Sequence, residues 1–156
     1  MSLVLRYLKY GLFFALIILF ACSKDDPDVI AERDRNRILK YLEENEFDDY
    51  YELESGVFIV MEVEGSGSKP GENSIVNMSY VGKLLNGTIF DGANYANVNL
   101  KVTVRGFRYG VMEFSRGGQG MILIPSALGY GSNPYGSIPR NSVLIFEVEI
   151  YDFYNN

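Results

Sequence analysis

The chain has 156 residues, of which 47% are apolar and 22% charged, so it is long enough for one domain of ordinary size plus a leader but not for two large cores. Its formal net charge is −6 at pH 7 and it has no basic cluster, which argues against nucleic-acid binding. Histidine is absent and Cys22 is the only cysteine, which excludes histidine-dependent catalysis, histidine–metal chemistry and a disulfide within the chain.

The N-terminal segment has the order of charge and hydropathy of a secretory signal. Arg6 and Lys9 precede the apolar run Leu12–Ala21, and Cys22 follows that run directly. A membrane-spanning helix needs about 20 apolar residues, so the run is too short to be a stable anchor by itself. We therefore predict a signal peptide over residues 1–21.

The segment Leu19–Ala21, directly before Cys22, resembles the lipobox of bacterial lipoproteins. That resemblance implies that Cys22 is lipidated and begins the mature chain, which is then anchored in the cell envelope outside the cytoplasm, on the periplasmic or outer-membrane face. The alternative is a plain secretory signal followed by a buried cysteine. The stretch Ser23–Asp26 is either a surface-export signal like that of some Bacteroidetes lipoproteins or a solvated linker. Cleavage before Cys22 leaves 12 basic and 20 acidic side chains, a formal charge of −8.

A helix is predicted from Asp26-Pro27 to about Glu44, because an aspartate N-cap followed by proline at the first helical position is a favourable start. Its apolar residues form a thin stripe, so at most one edge is buried: Ile30, Ile38, Leu39 and Leu42. We favour a solvated spacer over a dimerising helix. Residues 45–55 receive no structural assignment, and residues 22–55 as a whole are predicted to be a lipid-anchored acidic linker and helix.

From Gly56 onward the hydrophobic period becomes that of β-strands. Val57–Val63 is a first short strand. In the next strand the apolar side chains share one face and the polar ones the other: Val76, Met78, Tyr80 and Leu84 against Asn77 and Ser79. Asn86-Gly87 predicts a two-residue hairpin loop, because both residues tolerate positive φ, and Thr88–Asp91 is the return strand.

The remaining elements complete the predicted fold of residues 56–156. A strand near Asn99–Val104 leads into a short helix at Phe107–Phe114, which Gly117-Gly118 ends. Met121–Ile124 is a further strand and Pro125–Arg140 a loop. The last strand alternates, with four residues directed inward: Leu144, Phe146, Val148 and Ile150. One short helix among about five antiparallel strands predicts an α+β half-barrel sheet wrapped on that helix, with a cleft between them.

Several short motifs follow one another in the order found in the FKBP family of peptidyl-prolyl isomerases. They are Tyr80-Val81-Gly82-Lys83-Leu84, Phe90-Asp91, Val104-Arg105-Gly106-Phe107, Ile124-Pro125, Tyr130-Gly131, Ile138-Pro139 and Leu144-Ile145-Phe146-Glu147-Val148-Glu149. By their order and spacing, roughly residues 56 to 153 resemble that family, most closely its lipoprotein form in Bacteroidetes, some members of which are associated with gliding motility. The resemblance implies an FKBP-like fold and a peptidyl-prolyl cis-trans isomerase that uses no cofactor and no metal.

The resemblance also implies the roles of eight residues. Three are predicted to be catalytic: Tyr80, Asp91 and Tyr130. Five are predicted to form the proline pocket: Phe90, Val104, Phe107, Ile138 and Phe146. Tyr130 would donate its hydroxyl to a substrate carbonyl, and the backbone N–H of Val104 would bind another. Asp91 would accept a hydrogen bond from Tyr80 and set the field near the twisting carbonyl.

The chain departs from the family pattern at two places. Phe107 stands where the family has a pocket-floor tryptophan, and the segment between Asp91 and Val104 is several residues shorter than is common. Leu100 and Val102 stand in place of an aromatic pair. Both changes reduce aromatic area, so a catalytically weak FKBP-like module that binds proline peptides or acts as a chaperone is the alternative function.

An apolar pocket can isomerise proline without a covalent step. The X-Pro bond faces a barrier of about 18–20 kcal/mol and turns over in about 10–100 s unaided. Roughly 3 kcal/mol of stabilisation would bring the rate to about 10 per second. Because the twisted amide has lost resonance, its oxygen carries less charge and loses less on leaving water, so desolvation favours it.

The expected partners are proline-containing exported polypeptides, whose folding the isomerase would assist, and the membrane, through lipid on Cys22. Neither nucleic acid nor metal is expected. Asp25-Asp26 and Asp48-Asp49 are interpreted as solvated charge rather than as a metal or glycosidase site. A small-ligand barrel lipoprotein outside the FKBP family does not explain the repeated Ile-Pro turns.

Overall fold

The first element of the computed structural model, which describes residues 26–154, is helix α1, Pro27–Glu44. The predicted start is confirmed, since Asp28 N donates to Asp26 Oδ1 at 3.0 Å. The predicted signal peptide, the lipidation residue Cys22 and the stretch that follows it to Asp25 lie outside the described residues. Within residues 26–154, no helix has the length and apolarity needed to cross a membrane.

The chain divides into two compact units, Met1–Ile30 and Ala31–Asn156. Of the first unit, the structure describes only residues 26–30, which form a helical turn closed by a hydrogen bond from Ile30 N to Asp26 O at 3.0 Å. The second unit holds the rest of α1 together with the sheet.

A six-stranded antiparallel sheet forms the body of the second unit. Its strands are β1 (Tyr50–Glu52), β2 (Phe58–Val63), β3 (Ile75–Leu84), β4 (Ile89–Asn99), β5 (Gln119–Ile124) and β6 (Leu144–Tyr154). Their order across the sheet is β1-β2-β5-β6-β3-β4, which places the C-terminal strand near the middle. The predicted α+β architecture with an antiparallel open sheet is confirmed.

One face of the sheet packs against the short helix α2, Arg105–Val111. Phe107 and Val111 are buried there together with Ile122, Ile124 and Phe146. The helix can approach β5 closely because glycines occupy two of its positions on that side. A Cβ at Gly106 or Gly110 would overlap the Cγ2 atom of Ile124 or Ile122, respectively. These two glycines therefore set how deeply Phe107 reaches into the sheet.

The opposite face of the sheet is covered by α1. Ile38 and Leu42 are fully buried there and form a second apolar cluster with six residues of the sheet and its flanking loop: Phe58, Val60, Met121, Leu123, Val143 and Ile145. The predicted N-terminal helix is confirmed, but this packing differs from the solvated spacer that we expected. The apolar stripe was too thin to distinguish a helix with one buried edge from an independent one.

The β3–β4 hairpin is confirmed, but its loop differs from the prediction. Leu84 N donates to Thr88 O at 2.9 Å, and Gly87 N donates to Leu84 O at 2.9 Å. Gly87 alone has positive φ in this loop, at 83°, so Asn86 is not left-handed. The connection is therefore a three-residue loop with a left-handed glycine at its end rather than a two-residue loop.

The segment between β4 and α2 was predicted wrongly. The return strand continues to Asn99, and a 3-10 turn, Leu100–Val102, replaces the strand expected at Asn99–Val104. Asn99 Oδ1 accepts from Lys101 N at 3.0 Å, so a side-chain cap competes with strand pairing at this point. Leu100 is then fully buried, whereas Val102 is 80% exposed.

The end of α2 and the segment of residues 45–55 also differ from the sequence-based assignment. α2 ends at Val111, three residues before the predicted end, because Glu113 N and Phe114 N bond three residues back to Gly110 O and Val111 O and tighten the chain out of the helix. The glycine pair expected to stop the helix lies beyond it. Strand β1 formed where no structure was assigned, since its acidic and aromatic residues show no clear period.

We predict that Ile38→Ala lowers the free energy of unfolding by about 2–5 kcal/mol, because it empties a fully buried position between α1 and the sheet. Urea denaturation followed by circular dichroism measures the change. Glu43→Ala, at an exposed position of the same helix, should stay within about 0.5 kcal/mol of the parent. If Ile38→Ala changes the free energy of unfolding as little as Glu43→Ala does, α1 is not part of the folding unit.

Candidate functional site

A cleft of about 320 Å³ opens between the sheet and α2. Its walls come from β3, β4, β6, the start of α2 and the loop between β5 and β6. The lining residues are Tyr80, Asp91, Val98, Val102, Thr103, Val104, Phe107, Tyr130, Tyr135 and Phe146. Five aromatic rings thus line one concave surface. Three of them are tyrosines, and one of these, Tyr80, is paired with a carboxylate.

The floor of the cleft is a set of rings in edge contact. The Phe107 ring centroid lies 4.6 Å from that of Phe146 and 5.8 Å from that of Tyr80. Phe90 meets Phe146 edge to face at 5.5 Å. Aromatic pairs in these geometries are stabilised beyond the burial of their area, by about 0.5–1.5 kcal/mol each. The rings therefore hold one another in place before any ligand binds.

The absence of a side chain at Gly82 makes room for two of these rings. Gly82 pairs with Phe146 on β6 and with Asp91 on β4, at the centre of the three neighbouring strands. A Cβ at Gly82 would lie 2.7 Å from Phe90 Cε2 and 2.9 Å from Phe146 Cε1. This close approach explains why the sequence has glycine two residues after Tyr80.

Tyr80 and Asp91 form the polar pair of the cleft. Tyr80 Oη donates to Asp91 Oδ2 at 3.2 Å, which is the hydrogen bond predicted from the sequence. Asp91 Oδ1 accepts from Gly92 N at 2.8 Å, so both carboxylate oxygens are held. Burial, and after it the charge and hydrogen bond of Asp91, raise the pKa of Tyr80. Its hydroxyl therefore remains a donor at neutral pH.

Tyr130 faces this pair from the loop between β5 and β6. Its ring stacks on that of Tyr135, with centroids 4.5 Å apart and planes inclined by 6°. Burial is the main cause that raises the pKa of Tyr130, followed by Tyr135 and by the negative charge of Asp91. The Tyr130 hydroxyl is thus kept protonated at the rim, where it can donate to a bound carbonyl.

The structure brings most of the sequence-predicted site together. Six of the eight predicted residues line the cleft: Tyr80, Asp91, Val104, Phe107, Tyr130 and Phe146. The other two, Phe90 and Ile138, line an adjoining depression of about 310 Å³ that shares Asp91 and Tyr130 with it. The roles assigned to these side chains toward a substrate stay predictions. Of the residues in place of the family's aromatic pair, Val102 lines the cleft and Leu100 lies in the core.

Tyr135 is the main cleft residue that the sequence did not predict. It borders both depressions and is 63% exposed. Tyr135 N donates to Ile138 O at 3.0 Å and Ile138 N to Tyr135 O at 2.9 Å, so a tight turn holds it. The signal that was overlooked is an aromatic residue between Pro134 and Gly136 in a loop where neither neighbour is a core residue.

A larger cleft, of about 530 Å³, lies between α1, the β3–β4 hairpin and the segment Pro139–Val143. We do not regard it as the site, because its four charged residues lie at an open surface and no cluster of rings adjoins them: Arg37, Lys40, Glu44 and Arg140. Among residues 26–154, no group of three acidic, cysteine or histidine side chains is placed to hold a metal ion.

Comparison with known proteins relates the chain to one family. The model of the FKBP-type peptidyl-prolyl cis-trans isomerase family matches residues 66–151. The FKBP-type peptidyl-prolyl cis-trans isomerase FkpA of Aeromonas hydrophila is 33% identical over 133 residues, which are 82% of this chain and 49% of that protein. The chain spans less than half the length of this and two other FkpA relatives, from Buchnera aphidicola.

Two solved structures have the same fold. The crystal structure of a peptidyl-prolyl cis-trans isomerase from Pseudomonas syringae pv. tomato superposes with a TM-score of 0.71 at 25% identity, covering 85% of this chain and all of that one (100%). FkpA from Escherichia coli gives a TM-score of 0.71 at 23% identity, covering 99% of this chain and 74% of that one. The second likeness concerns the fold alone.

We predict that the hydroxyls of Tyr80 and Tyr130 are still more than half protonated at pH 10.0, the ordinary tyrosine pKa, because both pKa values are raised. A raised pKa means that the stabilisation they contribute is complete below that pH and is lost as the pH rises through the folded-state value. The ζ-carbon shifts of the two tyrosines, followed by NMR against the protein in concentrated urea, measure this. Ionisation of either at about pH 9 would contradict it.

Proposed function

Because the chain belongs to the FKBP-type peptidyl-prolyl cis-trans isomerase family, we propose that its aromatic cleft catalyses cis-trans isomerisation of X-Pro bonds in polypeptides. The observation that carries the proposal is the convergence of the ring cluster, the Tyr80–Asp91 hydrogen bond and the Tyr130 hydroxyl on one cleft. No nucleophile is needed, since the reaction breaks resonance and no covalent bond.

We propose that the pocket works by desolvation. The pyrrolidine ring lies on Phe107 and Phe146, which are 4% and 5% exposed and therefore shed little water when it binds. The planar amide oxygen is more strongly hydrated than that of the twisted amide, so an apolar site raises the energy of the ground state relative to the transition state. Contacts of the flanking residues of the polypeptide offset the free energy lost when the planar amide leaves water.

Two donors orient the substrate in this mechanism. Tyr130 donates its hydroxyl to one substrate carbonyl at the rim, and the N–H of Val104, the N-cap residue of α2, binds another. The Asp91 carboxylate, held by Tyr80 and by its own neighbour Gly92, disfavours negative charge on the amide oxygen and so favours the twisted form. The roughly 3 kcal/mol needed is within the reach of these few contacts.

A second candidate function, a module that binds proline segments with little turnover, is favoured by one observation. Leu100 is buried in the core rather than in the cleft wall, and Val102, which does line the cleft, is 80% exposed. The cleft wall at Val102 is therefore much more exposed than the floor formed by Phe107 and Phe146 and excludes water less well.

The place of action that we propose follows from the leader segment. Signal cleavage before Cys22 and lipidation of that residue would anchor the domain in the cell envelope, outside the cytoplasm, as in FKBP-type lipoproteins. The substrates there are proline-containing exported polypeptides, whose slow folding steps include X-Pro isomerisation. We propose that the anchor lies on the periplasmic or outer-membrane face and that the domain assists the folding of exported proteins there.

We predict that the mature chain accelerates exchange between the cis and trans forms of an X-Pro peptide, measured by exchange NMR. Tyr130→Phe should lower kcat/KM about 5- to 10-fold, the loss of one hydrogen bond of about 1–1.4 kcal/mol, and Asp91→Ala by a similar factor. Tyr154→Phe, at an exposed position outside the cleft, is the matched control and should have no effect. Circular dichroism checks that each variant is folded.

One outcome would contradict the catalytic proposal and another the residue roles. If the peptide binds but its cis-trans exchange is no faster than in buffer, the chain is the binding module instead. If Tyr130→Phe and Asp91→Ala are both fully active, those two residues do not have the roles proposed for them.

We predict that Cys22→Ser releases the protein from the membrane fraction of the expressing cell, because one acyl-bearing residue is the proposed anchor. Metabolic labelling with a radioactive fatty acid and fractionation measure it, with Ser23→Ala as the control. A wild-type protein that carries no label and remains in the soluble fraction would contradict the lipid anchor.

A further inference from the structure

Asp34, on α1, is the one fully buried carboxylate among residues 26–154. Its Oδ1 accepts from Arg33 Nη2 at 2.7 Å and from Arg33 Nε at 3.2 Å, and Arg37 Nη1 lies 3.9 Å away. Its Oδ2 accepts from the backbone N–H of Ser126 at 2.9 Å. A buried charge is retained only with such partners. One of the partners, Ser126, lies in the loop that carries Tyr130.

Ser126 in turn holds the backbone on both sides of Tyr130. The Ser126 carbonyl accepts from Gly129 N at 3.0 Å and from Gly131 N at 2.8 Å. These are the two residues that flank Tyr130. The N–H of Ser126 donates to Asp34 Oδ2, and this bond therefore holds the residue whose carbonyl accepts from both neighbours of Tyr130.

The far end of the same loop is also tied to α1. Gly131 O accepts from Asn141 N at 2.7 Å. The Asn141 carbonyl lies 3.4 Å from Arg33 Nη2 and 3.5 Å from Arg37 Nη1, which donate to it. The two arginines beside Asp34 thus bind the part of the loop that follows Tyr130. Asp34 itself binds the part that precedes Tyr130.

We propose that Asp34 is a positioning residue, which acts through Ser126 to set the place of the Tyr130 hydroxyl over the cleft, and that α1 is thereby part of the isomerase site. This inference rests on the proposed function of Tyr130 as a donor to substrate. The polar partners of Asp34 are Arg33, Arg37 and Ser126, none of which lines the cleft, so its effect reaches the substrate through the Tyr130 turn.

Stability alone does not account for this arrangement. α1 is already held to the sheet by Ile38 and Leu42, both fully buried. Apolar residues of similar volume generally stabilise a fold as well as a buried ion pair does, because the pair loses its hydration. What an apolar residue cannot do is accept from Ser126 N and so direct the turn. The hydrogen bond to a backbone N–H gives the loop one geometry rather than many.

The test is the isomerase assay on the mature chain with a double-mutant cycle. Asp34→Ala should lower kcat/KM about tenfold, because a small displacement of an orienting group is costly. In the Tyr130→Phe background the same substitution should change kcat/KM less than about twofold, since the hydroxyl that Asp34 positions is then absent. Asp34→Asn keeps an oxygen that can accept from Ser126 N. Its kcat/KM should therefore lie between that of Asp34→Ala and that of the parent.

Arg35→Ala is the matched control. Arg35 is on the same helix, but its guanidinium pairs with Glu52 of β1 at 2.9 Å and has no contact with the Tyr130 loop. It should leave kcat/KM unchanged even if it destabilises the fold. An effect of Arg35→Ala equal to that of Asp34→Ala would overturn the inference, as would additive effects of Asp34→Ala and Tyr130→Phe.

Amide hydrogen exchange separates this inference from the proposed function. Gly131 N, bonded to Ser126 O, should exchange at least about tenfold faster in Asp34→Ala than in the parent or in Arg35→Ala, while core amides of β6 keep their protection. If the parent chain proves catalytically inactive, the proposed function fails. The positional claim then stands if Gly131 loses protection and falls if it does not. An active parent with unchanged activity in Asp34→Ala overturns the inference outright.

Discussion

The contact on which the rest of the site depends is that of α2 with the sheet. Gly106 and Gly110 have no side chains toward β5, so the helix lies close enough for Phe107 to reach Phe146 and Tyr80. A larger residue at either glycine would lift the helix, and with it the floor of the cleft. The N–H of Val104 at the head of the same helix is placed by the same contact. The contact between α2 and the sheet therefore determines both the packing of this face and the geometry of the cleft.

The second constraint is electrostatic. In a chain with no histidine, the ionisable side chains that line the cleft are three tyrosines and one carboxylate, and burial together with the charge of Asp91 raises the pKa of Tyr80 and of Tyr130. The donors therefore do not change protonation state over the physiological range. Such a site suits a reaction that transfers no proton, because what it requires is a fixed field and the exclusion of water.

The two faces of the sheet contribute differently to that field. The face toward α2 supplies rings and the Tyr80–Asp91 pair. The face toward α1 supplies a purely apolar cluster, yet α1 also reaches the Tyr130 loop around the edge, through Asp34 and the two arginines beside it. The loop is thus held at both ends by hydrogen bonds between its backbone and side chains of α1. This explains how a glycine-rich segment can present a tyrosine with defined geometry.

The sequence by itself determined the elements with a strong local signal. The cap at Asp26, the alternation of β6 and the hairpin after β3 follow from rules that act within a few residues, and each is where the sequence placed it. The order of the motifs also identified six residues that share the cleft. Only the tertiary structure decided that Leu100 belongs to the core, that Tyr135 stacks on Tyr130, and that Asp34 binds Ser126 across 92 positions of the chain. The reason is physical: turn, cap and period act between near neighbours, whereas burial and a hydrogen bond between distant segments depend on which elements come together when the sheet closes on its two helices.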